Sequence, residues 1–415
     1  MTSPPLWWSL LALTSLFGGA SLLFLGSAYV PLDPALSTAR FVLIGGGLFA
    51  LSPFLPSAIA RFRTTVWGAV TVCLWVAFGV ACLISSVLTY DDARTTASTL
   101  WILLGVPVIF FLGLPGLLGY NAGRLAILAL FVSHALYVVV SFYLYPDLYF
   151  EYRGLFGHPN EMGMTAAVLA LCCLAWIVER AESGTFTRKT GSALAALFGA
   201  SCFLVVASGS RTSLLAVLIT TAAAALVCAR SLPRRRLLSA FSATLLLLFV
   251  GITLLPDLGF VQKTWDKHMQ QLMKGDVLSK RDEIWETTIT DMRFWGNGGD
   301  YFTTTVGISA HNSLMHIIGE RGPVAALFMV CFAVVGMLHA FRQALSHGPR
   351  RAFRATPVLI SICFWTLSTG EGMFGSLGTG ITLAYFLSVG MGLTEGAHFR
   401  APVVRFANPA ADKAA

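Results

Sequence analysis

Apolar runs of bilayer-spanning length recur from one end of this chain to the other, and that recurrence leaves few folds open. A spanning helix needs ~20 apolar residues, and only helices or closed barrels can satisfy their backbone polar groups inside lipid. Twelve segments qualify, near 6–26, 39–55, 65–88, 96–113, 125–144, 162–179, 192–208, 212–229, 237–255, 323–341, 356–370 and 379–395. The second and eleventh are short enough to be re-entrant. Of the 415 residues only 12% are charged, against about 25% in an average soluble domain. With 56% hydrophobic residues and a mean hydropathy of +0.74, the chain has too little polar surface to cover a soluble globule of its size. Disorder, a collagen-like chain and a small disulfide scaffold are excluded as well. The expected fold is an all-α polytopic membrane protein of about 12 transmembrane helices with a large, partly helical periplasmic loop.

The opening stretch MTSPPLWWSLLALTSLF lacks the basic leader of a signal peptide, so the first run is expected to remain as a span. All eight cysteines (Cys73, Cys82, Cys172, Cys173, Cys202, Cys228, Cys331, Cys363) fall in apolar runs without CxxC spacing. They read as small buried hydrophobes.

Charge sets the orientation. With the N-terminus in the cytoplasm, the inner segments hold 17 of the 28 basic residues and four of the 20 acids. The positive-inside rule therefore places both termini in the cytoplasm. The net charge of +8 then needs no nucleic acid, and SLPRRR at 231–236 is a topology anchor. The segments divide into spans one to nine (1–255), a periplasmic loop domain (256–322), spans ten to twelve (323–396) and a cytoplasmic tail (397–415). The tail's ANPAADKAA is expected to be disordered. Loops as long as 256–310 are uncommon without a function.

Three sites stand out on the outer side. In SGSRTSLLA, Ser210 can cap the eighth span, which puts Arg211 in its first turn. Free N–H groups, a positive dipole end and a guanidinium make an anion site. A snorkelling interfacial arginine is the alternative, but a cation at a helix start is unfavourable without an anionic partner. In VLSKRDEIWETTITDMRFWGNGGD, Ser279 and Asp282 suggest a capping box. Trp285, Ile289 and Met292 form an apolar stripe that would face the membrane domain. Arg281 heads that stripe, with GNGG at 296–299 ending the helix. Pairing of Arg281 with Asp282 or Glu283 on a solvated face is the alternative. In ISAHNSLMHIIGERGP, Ser309 can cap a short helix over about 310–318 closed by Gly319. His311 falls in its first turn, where the dipole favours the neutral imidazole of a general base. An ordinary interfacial histidine fits the pattern equally well. His316 lies roughly 140° round that helix, so no helical zinc pair is formed. His134 reads as structural, and His158 as a weaker site residue. No Walker loop or GxSxG elbow occurs. Asp91-Asp92 has no third partner for a divalent metal.

Taken in order, RGLFGHPNEMG, SGSRTS, KRDEIW followed by GNGG, and AHNSLMHIIGERG resemble the O-antigen ligase family, over most of the chain. The superfamily includes O-antigen polymerases and protein O-oligosaccharyltransferases. The resemblance implies a GT-C-like architecture in the bacterial inner membrane. It implies an inverting, metal-independent glycosyltransferase that uses no cofactor. The donor would be undecaprenyl diphosphate-linked O-antigen and the acceptor lipid A–core, joined on the periplasmic face. Arg211 and Arg281 match the family's diphosphate-binding arginines and His311 its essential histidine. Arg153, Asn160 and Asn312 become second-line positioning residues. A lipid-linked glycan transporter is the rival of a different class. Its mark would be ionisable residues near the bilayer midplane, and His134 is the main one here.

Overall fold

The computed structural model describes residues 4–22, 33–60, 64–148, 151–229, 281–345, 353–374 and 379–393, with single positions between 262 and 273. Among them the regular structure is helical, without strands. The helices are α1 (Leu6–Ser21), α2 (Pro34–Leu51), α3 (Leu55–Ala60), α4 (Val66–Leu88), α5 (Ala93–Leu100), α6 (Leu114–Leu118), α7 (Ala122–Leu144), α8 (Pro159–Ser183), α9 (Arg188–Ser208), α10 (Arg211–Ala229), α11 (Arg281–Thr290), α12 (Ser313–Leu345), α13 (Thr356–Leu367) and α14 (Gly380–Leu393). Among the described residues, seven helical runs are long and apolar enough to cross a membrane. One of them, Thr95–Leu144, holds both the 96–113 and the 125–144 segments. Helices α1, α13 and α14 are apolar but shorter. The 237–255 segment, Ser279 and the tail 397–415 lie outside the described residues.

Local chemistry sets the helix starts. Asp33 caps α2 through Ala35 N, with Pro34 at the first helical position. Thr65 caps α4 through Gly68 N, and Asp92 caps α5 through Thr95 N. Side-chain oxygens there take up N–H groups that have no partner within the helix. Beyond α5 the chain winds as π-helix over Trp101–Gly105 and Pro107–Gly113. A proline lacks the N–H and crowds the preceding turn, so the helix widens. Trp75 Nε1 donates to the Ile102 carbonyl there at 2.9 Å.

Trp75 is also the centre of the core. Its ring lies 4.9 Å from Phe332, 5.3 Å from Phe111 and 5.2 Å from Phe386. This cluster joins α4, the π-helical stretch, α12 and α14. Helix α8 is buried on every side, from Met162 through Ala175, as a helix apolar all round must be. It connects two polar ends. At one, Arg354 makes a two-pronged ion pair with Glu182, with Nη2 2.8 Å from Oε1. At the other gather the starts of α8, α10 and α12 and the end of α13.

Helix α12 is broken at Gly322, where φ is +83°. A Cβ there would come within 2.5 Å of Gly296 N, so only glycine lets the 294–296 backbone lie against the break. The sequence places a helix end at Gly319. The helix runs through that residue and breaks three positions later, where Pro323 removes an N–H.

Candidate functional site

The start of α10 is built as its sequence predicts. Ser210 Oγ accepts from Ser213 N at 3.4 Å and meets Ser213 Oγ at 2.8 Å. Arg211 is the first helical residue and is exposed. Helix α8 presses on this turn at Gly163, where a Cβ would come 2.6 Å from Ser208 Oγ and Ser210 Cβ. That contact fixes the height of Arg211 relative to the first turn of α8. The 151–157 loop closes over the same turn, with Tyr152 N donating to Ala207 O at 3.0 Å. Arg153 sits in this loop and is exposed. Its side chain makes no hydrogen bond or ion pair among the described residues, so it is not drawn to the other site residues by direct contact.

The His311 segment departs from the sequence reading. Helix α12 begins at Ser313, not near 310. Its cap is Asn312, whose Oδ1 accepts from Leu314 N at 2.8 Å and Met315 N at 3.1 Å. Ser309 Oγ instead accepts from His311 N at 3.4 Å. His311 therefore precedes the helix rather than occupying its first turn. Its φ of +47° is the left-handed region, which costs a non-glycine residue about 1–3 kcal/mol. Asn312 Nδ2 also donates to Thr369 O at 3.3 Å, which draws the end of α13 to this cap.

Arg281 is the first residue of α11 and is half-buried. Of the stripe expected to face the membrane domain, Trp285 packs inward but Ile289 and Met292 do not. Ile289 and Met292 are exposed at 54% and 45%. The packed face carries Ile284, Trp285 and the fully buried Thr288. Trp285 Nε1 donates to Ala310 O at 2.9 Å, so α11 docks on the residue before His311. The helix ends at Thr290, before GNGG. Those glycines line the break in α12 instead, with Asn297 N on Gly319 O at 3.0 Å.

Glu371, which the sequence reading passes over, is where these elements meet. Its Oε2 is 3.2 Å from His311 Nδ1, and its Oε1 accepts from Asn160 Nδ2 at 3.2 Å. Arg281 lies within electrostatic range of both Glu371 and Arg211. Burial pushes the Arg281 guanidinium below the ordinary arginine value. Glu371 opposes that shift and Arg211 adds to it. Two guanidiniums, one imidazole, one carboxylate and the Asn160 amide thus converge from α10, α11, the start of α12, the end of α13 and α8. One signal in the sequence could have found Glu371: it is the only acid between Glu320 and Glu395, set between two glycines at the end of a span.

The other residues singled out take structural roles. His158 caps α8, accepting from Asn160 N at 3.1 Å, while Glu161 Oε2 accepts from His158 N at 2.8 Å. His134 is buried, with Nδ1 2.9 Å from Leu130 O. Asp91 forms an ion pair with Arg321, with Nη1 2.5 Å from Oδ2. Gly299 N donates to its other oxygen at 2.9 Å. Asp92 is engaged as the α5 cap. No cluster of three or more His, Cys, Asp or Glu placed to hold a metal occurs among the described residues. No protein-family model matches the chain, and no curated protein matches it significantly.

Proposed function

We propose that this chain is an O-antigen ligase. It would move O-antigen polysaccharide from undecaprenyl diphosphate to lipid A–core and so complete lipopolysaccharide. The observation that carries this reading is the convergence of Arg211, Arg281 and His311 at one end of a bundle of apolar helices. The finer proposal is a twelve-span, GT-C-like protein of the bacterial inner membrane with both termini cytoplasmic and this end facing the periplasm.

The polyprenyl tail would lie against the apolar helix faces, with its diphosphate at Arg211 and Arg281. His311 takes the proton from the acceptor sugar hydroxyl. The oxygen attacks the anomeric carbon of the donor from the face opposite the diphosphate. The glycosidic C–O bond breaks, and its electron pair leaves with the diphosphate. Two guanidiniums fixed in advance stabilise the charge that grows there. A neutral imidazole within reach of the hydroxyl supplies the base.

The test offers purified protein a polyprenyl-diphosphate glycan without ATP and with chelator present. Lipid A–core, a second donor and a pilin-type peptide are supplied separately. Transfer to lipid A–core is expected. Transfer only to the second donor makes the chain a polymerase, and transfer only to the peptide makes it a protein glycosylase. Glycan flux across sealed vesicles without any transfer makes it a transporter. Each of these three results overturns the ligase reading.

A further inference from the structure

A carboxylate in the middle of an arginine-rich anion site is at first sight out of place, because it repels the diphosphate the site is read as holding. Its contacts give a reason. Each oxygen of Glu371 has its own partner, His311 Nδ1 on one and Asn160 Nδ2 on the other, both at 3.2 Å. An ionised carboxylate only accepts, so His311 Nδ1 must be the donor. A neutral imidazole with its proton on Nδ1 presents an unprotonated Nε2.

The backbone that carries the carboxylate is itself held from several sides. Ser313 Oγ donates to the Glu371 carbonyl at 3.1 Å and accepts from Met373 N and Phe374 N at 2.9 and 3.2 Å. Phe374 then anchors the segment in the aromatic core, 5.4 Å from Phe78 and 5.3 Å from Trp365. On the other side, a Cβ at Gly370 would lie 2.3 Å from Thr212 Oγ1. The segment is therefore seated directly on the first turn of α10, beside Arg211. Among the described residues, the titratable and charged groups facing Glu371 include His311, Arg281 and Glu161.

We infer that Glu371 is a positioning residue, which fixes His311 in the Nδ1–H tautomer and aims Nε2 at the acceptor hydroxyl. Asn160 holds the far oxygen and prevents the carboxylate from turning away. The inference rests on the transferase reading only for the group that Nε2 meets.

The test is ¹⁵N NMR of histidine-labelled full-length protein in detergent, with the His311 signals assigned by loss in His311→Asn. The wild type is expected to show His311 protonated at Nδ1. Glu371→Gln and Glu371→Ala are expected to give mixed tautomers. In the transfer assay, the same variants lose on the order of 10²–10⁴-fold in kcat, the range seen when the orienting carboxylate of a catalytic histidine is replaced or a general base is lost. KM for the donor stays within a few-fold, and Glu371→Asp recovers part of kcat. An Nε2–H tautomer in the wild type overturns the inference. So does Glu371→Gln with tautomer and kcat both unchanged. The NMR reading needs no turnover, so failure of transfer with every acceptor sinks the ligase reading alone.

Discussion

Two arginine clusters lie at the same end of this protein, and they are built in opposite ways. Arg321 is clasped. Its side chain is 9% exposed and that of Asp91 4%. Its Nη1 also donates to Ser86 Oγ at 2.7 Å, while Gly299 N and Thr89 Oγ1 complete the carboxylate. Arg211 and Arg281 lie within electrostatic range of each other and are less enclosed. Arg211 is exposed, Arg281 half-buried, and His311 and Glu371 keep side-chain exposures of 31% and 24%. A buried cation matched to a carboxylate whose two oxygens both accept hydrogen bonds is architecture, here pinning the break in α12 to the α4–α5 turn. Like charges gathered where solvent or a ligand can still enter are costly to the fold, and such placements point to function.

The largest expected effect is on activity. Arg211→Ala and Arg281→Ala should each reduce transfer by about 10²–10³-fold, the typical loss of one transition-state donor, with unfolding midpoints close to wild type. Normal transfer by both purified variants would remove the distinction between the clusters. Arg321→Ala should do the reverse. It leaves a buried carboxylate without its cation and should cost on the order of 3 kcal/mol of stability, read as a lowered midpoint in detergent. Unchanged stability would show that the clasp is not structural.

A smaller effect follows from pH. Burial raises the Asp91 carboxyl, but the Gly299 N–H and the Arg321 guanidinium outweigh it and hold the group below the usual aspartate value. A group depressed in the folded state contributes stability fully present above its unfolded value, about 3.9, and lost as pH falls through the folded value. The wild type should therefore lose stability on acidification below about pH 4 more steeply than Asp91→Asn, as measured by thermal melts across that range. The smallest effect is expected at Arg153, whose side chain makes no hydrogen bond or ion pair among the described residues. Arg153→Ala should change transfer by less than about tenfold, or 1.4 kcal/mol. A larger loss in kinetic assays would bring its loop into the binding machinery.

Which parts could be read in advance follows from the range of each interaction. The spans, Ser210 as a cap and Arg211 as a first-turn residue depend on neighbours within a few positions. The sequence leaves the start of α12 ambiguous because Ser309 and Asn312 are both competent caps three residues apart. The choice between them goes with the contact from Asn312 to Thr369, 57 residues away. The face of α11 departs from its local pattern for a similar reason. A stripe of Trp285, Ile289 and Met292 is apolar enough to be buried, but docking through Trp285 onto Ala310 turned Ile284 and Thr288 inward instead.

The sequence by itself determined that this is a helical membrane protein, where the apolar helices run among the described residues, and that Ser210 caps the helix that Arg211 begins. Hydrophobicity and capping act over one or two turns and are written locally. Only the tertiary structure decided that Glu371 joins Asn160 to His311 and that Asp91 belongs to Arg321. Those pairs lie 211, 60 and 230 residues apart, and a charge chooses its partner by distance in space.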